Sequence, residues 1–442
     1  MWHETLYNVL NTINTVVLSI IGIPFFLQVL YMLFFRIKKK TFPKSEKKGK
    51  VAYVICAYNE EDVIFQTVKS IKEKQNYPKE LIDVYVVCHN CTDKTAELAE
   101  KACGIPLILN DPDPNKKRLC YPIDFGFKYL IENDKGYDFI IRIDADNHMN
   151  DDFTSLMNDA YQSGVKLARP YESGLNMTQN KFTEACGLYY VFDSRFSSRV
   201  RERLHIGAHV NGPGMMVAME TIKEVGGYPA RSISDDVDFN ILLMEKNVFG
   251  HFVEDAVIYE DFPSTLKDTY NRNKRIGCGV ARLIFGKLGL LAGKFFYKFK
   301  FSYLELFLSC LLVIISVILC TWIPLFYVYD LIYLGLAGQG IIATSLGASY
   351  YWAMFNQTWQ IMLIAVGVLF VFCGYVQAFL LIFLDYKKMG VKRRRDLFWG
   401  GVLFPVFSVV YIATIAIGAV SKPSWNKVAR NPNANQIDMK KS

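Results

Sequence analysis

Hydrophobic positions along this chain follow two regimes. Residues 5–35, 306–329, 331–384 and 397–421 contain no Asp, Glu, Lys or Arg. A helix needs about 20 apolar residues to cross a bilayer core, and the segments near 12–35, 303–329, 358–384 and 398–420 are long enough. The part at 335–351 is richer in Gly, Ala, Ser and Thr and reads as an external loop or a re-entrant piece. Between the first span and the rest, the pattern shortens. Residues 51–56 form the continuous apolar run of a strand buried on both faces, and Val63, Ile64, Val68 and Ile71 then recur at helical spacing over 63–74. Residues 83–88 read as a second strand, 94–103 as its following helix, and 139–143 as a later strand that ends in Asp144. Strands alternating with helices predict an α/β region with a mostly parallel sheet, whose ligands gather at the carboxyl ends of the strands.

Composition narrows this picture. With 52% hydrophobic and 21% charged residues, the chain is neither disordered nor collagen-like. The first apolar segment lacks the basic start and small-residue cleavage site of a signal peptide, and it runs into aromatics followed by lysines, so it reads as a retained span. Positive charge flanking a span is held on the cytoplasmic side. Arg36, Lys38, Lys39, Lys40, Lys44, Lys47, Lys48 and Lys50 therefore place the long polar region inside the cell. Lys387, Lys388 and Arg393 to Arg395 form a second inner cluster. The expected organisation is an N-terminal transmembrane helix (1–35), a cytoplasmic α/β domain (36–280), interfacial amphipathic helices (281–302), a C-terminal transmembrane region of about three spans (303–421) and a tail (422–442). Four crossings would put that tail outside, which its Lys422, Lys427, Arg430, Lys440 and Lys441 oppose. The net charge of +8 is accounted for by the membrane-flanking clusters, so no nucleic-acid partner is implied. Seven of the ten cysteines fall in the cytoplasmic region and are expected as free thiols. Cys88 and Cys91 lack a second ligand pair at zinc spacing.

The polar residues after each strand are the candidate chemistry. Ala57, Tyr58, Asn59 and Glu60 follow the first, His89 to Asp93 the second, and Asp144, Ala145 and Asp146 the later one. Two carboxylates one residue apart can share a hard divalent cation, with other ligands from water and phosphate. The chain continues with Asn211-Gly212-Pro213-Gly214, Val225-Gly226-Gly227-Tyr228, Ser234-Asp235-Asp236-Val237-Asp238, Glu260-Asp261-Phe262-Pro263 and Arg272-Asn273-Lys274-Arg275-Ile276. In that order and between spans, the set resembles the membrane-embedded glycosyltransferases of family 2, the group of cellulose, chitin and hyaluronan synthases and lipid-linked sugar transferases. The resemblance covers about residues 50 to 280.

The resemblance implies a GT-A fold that binds a nucleotide-diphosphate sugar. Ala57, Tyr58, Glu60 and Asp93 would hold the nucleoside, although His89 and Asn90 replace the family's usual acidic turn. Asp144 and Asp146 would hold Mg²⁺ or Mn²⁺ on the diphosphate. Asp236 matches the last residue of the T-E-D motif and would be the base that removes the acceptor's proton, with Asp238 as the nearby alternative and Asp235 as a like-charged neighbour that raises its pKa. Arg275 would neutralise the leaving diphosphate. Arg272 and Ile276 stand where the Q-x-x-R-W motif has Gln and Trp. The missing Trp removes the aromatic ring on which an acceptor sugar rests, and Tyr270, Phe252 or Phe285 is a candidate replacement. The turn 115–118 either offers Lys117 or Arg118 to the donor phosphates or is a solvated basic turn.

Arg195, Arg199, Arg201 and Arg203, interspersed with Phe196, Val200 and Leu204, read as a helix against an anionic membrane face or as a solvent-facing helix packed on the fold, as does 281–300. His148, His205, His209 and His251 have neither triad nor ligand spacing. The leading expectation is an inverting enzyme of the plasma membrane that uses a UDP-sugar, UDP-glucose first, to elongate a β-linked polysaccharide and pass it through its own spans. Its partners would be the donor, a polysaccharide or lipid acceptor and the bilayer. The alternatives are a non-processive enzyme placing one sugar on a lipid and an inactive transferase-fold scaffold.

Overall fold

A computed structural model describes residues 2–34, 36–113 and 116–422; Asn115, the side chain of Phe285 and the tail beyond 422 lie outside the described residues. Eight strands form one sheet: β1 (Val51–Ala57), β2 (Ile82–His89), β3 (Ile105–Leu109), β4 (Phe139–Asp144), β5 (His148–Met149), β6 (Leu167–Gly174), β7 (Met215–Ala218) and β8 (His251–Glu260). Their order is β3-β2-β1-β4-β7-β6-β8-β5. The first four are parallel, β7 is antiparallel to both β4 and β6, and β6 pairs in parallel with β8. The sheet is therefore mixed, with its parallel half near the N-terminus.

The alternation of a pleated strand explains why β1 is apolar throughout. Val51, Tyr53 and Ile55 pack on one face with Ile64, Val68 and Ile71 of the helix Ile64–Lys74, while Ala52, Val54 and Cys56 pack on the other with Ile123, Phe127 and Leu130 of the helix Cys120–Glu132. Both faces of the strand are core, so both sets of side chains must be apolar.

Among the described residues, three helical spans are long and apolar enough to cross a membrane: Phe301–Gly338, Ala348–Asp385 and Arg394–Ala419. The expected loop at 335–351 is only partly one. The non-helical stretch is 339–347, and residues on both sides of it are helical. Gly338 is small because the side chain of Trp352 lies against it, so this composition reflects helix packing. The N-terminal helix Trp2–Leu33 is joined to the first span by Trp322 Nε1 donating to Asn14 Oδ1 at 3.3 Å, and Glu4 Oε1 accepts from Ser345 Oγ at 2.8 Å. At its other end Lys40 pairs with Glu202 at 2.6 Å.

Two expectations change. The boundary at 280 falls within one continuous helix, Leu266–Lys298, whose end exposes Phe296, Tyr297 and Phe299. The arginines of 195–201 are interior, not membrane-facing. Arg199 pairs with Glu254, Arg201 with Glu305, and Arg195 Nε lies 3.7 Å from Asp385. Only Arg203 of the four is exposed. Spacing alone cannot separate these cases, because a buried cation whose carboxylate partner is remote in sequence looks like a surface cation.

Candidate active site

A cavity of about 500 Å³ opens where the carboxyl ends of β4, β6 and β8 meet the loop before β7 and the start of the helix Asp235–Glu245. Asp144 closes β4 in register with Cys56, the penultimate residue of β1, so the two predicted loops are neighbours. Asn147 Oδ1 accepts from the Asp144 amide at 2.8 Å and the Asn147 amide returns a bond to the Asp144 carbonyl at 3.1 Å, which pins the turn carrying Asp144 and Asp146. Arg142 lies on the same strand face as Asp144 and donates to its Oδ1 at 2.7 Å. The Arg142 guanidinium crosses over Gly212 so closely that any β-carbon there would collide with it. Gly214, two residues on, has φ +68° and its own space is filled by Pro170. The Asn-Gly-Pro-Gly motif is thus the price of running a buried arginine under a loop.

Asp235 and Asp236 open a helix, where unpaired amides favour negative charge. Asp236 Oδ1 accepts from the Val237 amide at 2.8 Å. Burial pushes Asp236 above the usual carboxylate range, against the pull of the Val237 bond, Arg142 and the Gly212 amide. Burial and then the charge of Asp236 push Asp235 up to about 7. Asp238, the alternative base, is committed elsewhere: its Oδ2 accepts from the amides of Arg231 at 3.0 Å and Ser232 at 3.2 Å. It does not line the cavity, whereas Asp235 and Asp236 do.

Arg272 and Arg275 reach the same cavity from the helix Leu266–Lys298. Arg272 Nη2 lies 3.3 Å from Glu260 Oε2, and its guanidinium sits 4.9 Å from the Tyr190 ring centre. Arg275 is enclosed by protein yet open to the cavity; burial and then repulsion from Arg272 push its pKa down. Among the described residues, seven carboxyl groups and four guanidiniums line the cavity. Burial raises Glu260 to about 8, with Arg272 opposing and Glu172, Asp144 and Asp146 adding to the rise. Among the described residues no group of three or more His, Cys, Asp or Glu could hold a metal ion on protein ligands alone. Asp144 and Asp146, two carboxyl groups one residue apart on the pinned turn, nevertheless fit a divalent cation that takes its other ligands from phosphate and water.

The remaining predicted residues are placed as follows. Ala57 is buried at the end of β1, and Tyr58 is 57% exposed beside it. Glu60 donates its amide to Thr95 Oγ1 at 2.8 Å, and Asp93 accepts from the amides of Thr95 at 3.0 Å and Glu61 at 3.2 Å, so Asp93 fastens the β1 and β2 loops together. In place of an acidic turn, Asn90 exchanges two bonds with the backbone of Asp111, at 2.8 and 3.0 Å. Arg118 donates to the Arg231 carbonyl at 2.7 Å and stacks on Tyr121, and Lys117 is exposed. Neither lines the cavity, although Leu119 does. His209 Nε2 lies 2.7 Å from Glu305 Oε2 in the cavity wall.

Sequence reasoning missed Arg142, Glu172, Asp193, Tyr189, Tyr190 and Tyr411, all lining the cavity. Arg142 carried a usable signal, a charge two residues before Asp144 in an otherwise apolar strand. The tyrosines carried none, since ring-bearing helical positions are ordinarily core.

A family model described as Glycosyl transferase family group 2 matches residues 139–417, and one described as Glycosyl transferase family 2 matches residues 53–219. The probable glycosyltransferase YdaM of Bacillus subtilis (strain 168) is 24% identical over 286 residues, a match that spans 63% of this chain and 65% of that protein. The chain therefore aligns with just under two thirds of the length of that relative. The structure of the mannosyltransferase PcManGT from Pyrobaculum calidifontis, in complex with GDP-Man and Mn²⁺, superposes with a TM-score of 0.53 at 14% identity, covering 90% of this chain and 98% of that one. The fold is GT-A-like, a mixed sheet with helices, and in this chain long apolar helices follow it.

Proposed function

Because the chain belongs to glycosyl transferase family group 2, we propose that it is a membrane-embedded inverting transferase that moves a sugar from a nucleoside diphosphate onto a glycan hydroxyl. The observation that carries this reading is the convergence of Asp144, Asp236, Arg272 and Arg275 on one cavity, with Asp236 buried into a more basic state. UDP-glucose is the first donor to test. Ala57 and Tyr58 bound the nucleoside end, on loops that Asp93 holds in place. Asp144 and Asp146 would hold Mg²⁺ or Mn²⁺, which supplies charge neutralisation on the diphosphate. Asp236 takes the proton from the attacking hydroxyl. The oxygen then forms its bond to the anomeric carbon from the side opposite the leaving group, so the configuration inverts. Arg275 stands where the departing diphosphate gathers charge. Transfer repeated at the same site elongates a β-linked polymer, and Tyr31, Leu308 and Leu312 in the cavity wall support a path from the site toward the spans.

The placement we propose is multi-pass, with the catalytic domain in the cytoplasm. The basic clusters support it. The last apolar helix makes contacts with the catalytic region along its length: Gly400 donates its amide to Glu184 Oε2 at 2.6 Å, Thr414 accepts from Asn273 Nδ2 at 2.9 Å, and Ser421 accepts from Cys278. These contacts keep the end of that helix, at Ser421, beside the catalytic region.

Full-length protein in nanodiscs, given UDP- and GDP-sugars with Mn²⁺ and oligosaccharides, should release the nucleotide. No release with any donor would overturn the proposal.

A further inference from the structure

We infer that Tyr189, Tyr190 and Tyr411 form the platform on which the acceptor rests, and that the acceptor is the neutral pyranose end of a glycan and not a lipid phosphate. This rests on the transferase reading above. Tyr189 and Tyr190 end the helix Lys181–Phe192, and Tyr411 comes from the last apolar helix, more than 200 residues later. The Tyr189 and Tyr411 ring centres are 4.2 Å apart at 32°. Tyr190 stacks on Phe262 at 4.8 Å and 15°, with the Arg272 guanidinium beside it. The rings are thus positioned by packing, yet all three are only partly buried and line the cavity that holds Asp236. A pyranose offers an apolar C–H face, which packs on aromatic rings, and a rim of hydroxyls, which need acceptors. Glu172, Asp193, Glu260 and Asn211 line the same cavity and provide them.

Ile276, where the family motif has its ring, also lines the cavity but brings no aromatic surface. Of the replacements considered from the sequence, Phe252 is 1% exposed in the core and Tyr270 does not line the cavity. The ring surface has moved to other elements.

Charge decides between sugar and phosphate. A phosphate monoester needs cations that are not already answered by carboxylates. At this end of the cavity Arg272 is answered by Glu260 and Arg201 by Glu305. The carboxyl groups in this wall instead offer oxygens to which hydroxyls can donate. In the step itself the acceptor O–H gives its proton to Asp236, the oxygen forms the new bond to the anomeric carbon, and the bond from that carbon to the diphosphate oxygen breaks with its electron pair leaving on the nucleoside diphosphate.

The test uses full-length protein in nanodiscs with β-linked glucohexaose, a chitin hexamer and a short polyprenyl phosphate as probes. Tyr189→Leu and Tyr411→Leu should weaken binding of the bound oligosaccharide about ten-fold or more and raise its KM, while UDP–Mn²⁺ affinity stays within about two-fold; Tyr→Phe at either position should keep most of the binding. On the native chain, saturating the aromatic protons should transfer signal to the sugar-ring protons, a readout that needs no variant to fold. Unchanged oligosaccharide binding in both Leu variants, no transfer from aromatic protons, or turnover with polyprenyl phosphate and with neither glycan would each overturn the inference. Those results leave nucleotide release by the native chain intact, so they are distinct from failure of the transferase reading, which would show as no release at all and would overturn both.

Discussion

The two halves of the sheet solve different problems. Around β3, β2, β1 and β4 the interior is apolar on both faces except at Arg142 near the end of β4, and the other polar chemistry sits at strand ends and in loops. Around β6 and β8 the interior is charged: Arg169 is fully buried and bridges Glu172 at 3.0 Å and Asp193 at 2.5 Å, while Arg199 pairs with Glu254. In the function proposed above, the first half presents backbone and loops to a nucleotide. The second builds the wall of a cavity from ion pairs that must stay in register for the cavity to keep its shape. Buried pairs add little net stability over apolar packing, but losing one partner is costly. The charged half therefore trades stability for a polar wall, a pattern expected where a site needs fixed carboxylates.

The comparison can be broken first at the chemistry. Asp236→Asn should lower kcat by about 10³-fold with donor affinity retained, measured by nucleotide release and equilibrium binding. A native rate would remove Asp236 as the base. On the nucleotide side, Asp144→Asn should cut turnover about 10²-fold, and chelation of divalent cations should abolish it reversibly. Undiminished activity in chelator would detach Asp144 and Asp146 from any metal role.

Stability sharpens the contrast between the halves. Arg169→Met leaves the buried Glu172 without its cation, and removes the partner of Asp193 as well, so it should cost about 3–5 kcal/mol, seen as a large fall in melting temperature. Lys101→Met, which breaks the exposed pair of Lys101 with Glu97 (2.5 Å) in the parallel half, should leave the melting temperature unchanged. Equal effects would show that the two halves are not energetically different.

The smallest effect is a pH dependence. Asp235 in the fold titrates at about 7, above the ordinary carboxylate value near about 4, so the fold favours its protonated form. Its contribution is fully present below the lower value and is lost as pH rises toward 7. Asp235→Asn cannot ionise, so its melting temperature relative to the native chain should climb between pH 5 and pH 7 and level off above, by about 2 °C or more. A difference independent of pH would mean that Asp235 is not held in this state.

The legible parts of the fold were those governed by local periodicity. Strands expected at 51–56, 83–88 and 139–143 occur as Val51–Ala57, Ile82–His89 and Phe139–Asp144, because a two-faced buried strand must be apolar at every position. Asp144, Asp236, Arg272 and Arg275 were legible from an ordered motif set, and they meet in one cavity. Ser194 to Arg201 misled, since an arginine's partner is set by the fold: Glu305 lies 104 positions from Arg201.

By itself, the sequence determined where apolar helices, two-faced strands and strand-end carboxylates fall, because each depends on neighbours within a few residues. Only the tertiary structure decided which carboxylate faces the cavity. Asp238 is spent on a turn and Asp236 is not, although they stand two residues apart on one helix. It also decided that rings from residues 189, 190 and 411 share a wall, since only packing brings positions so far apart in sequence together and sets what they are buried against.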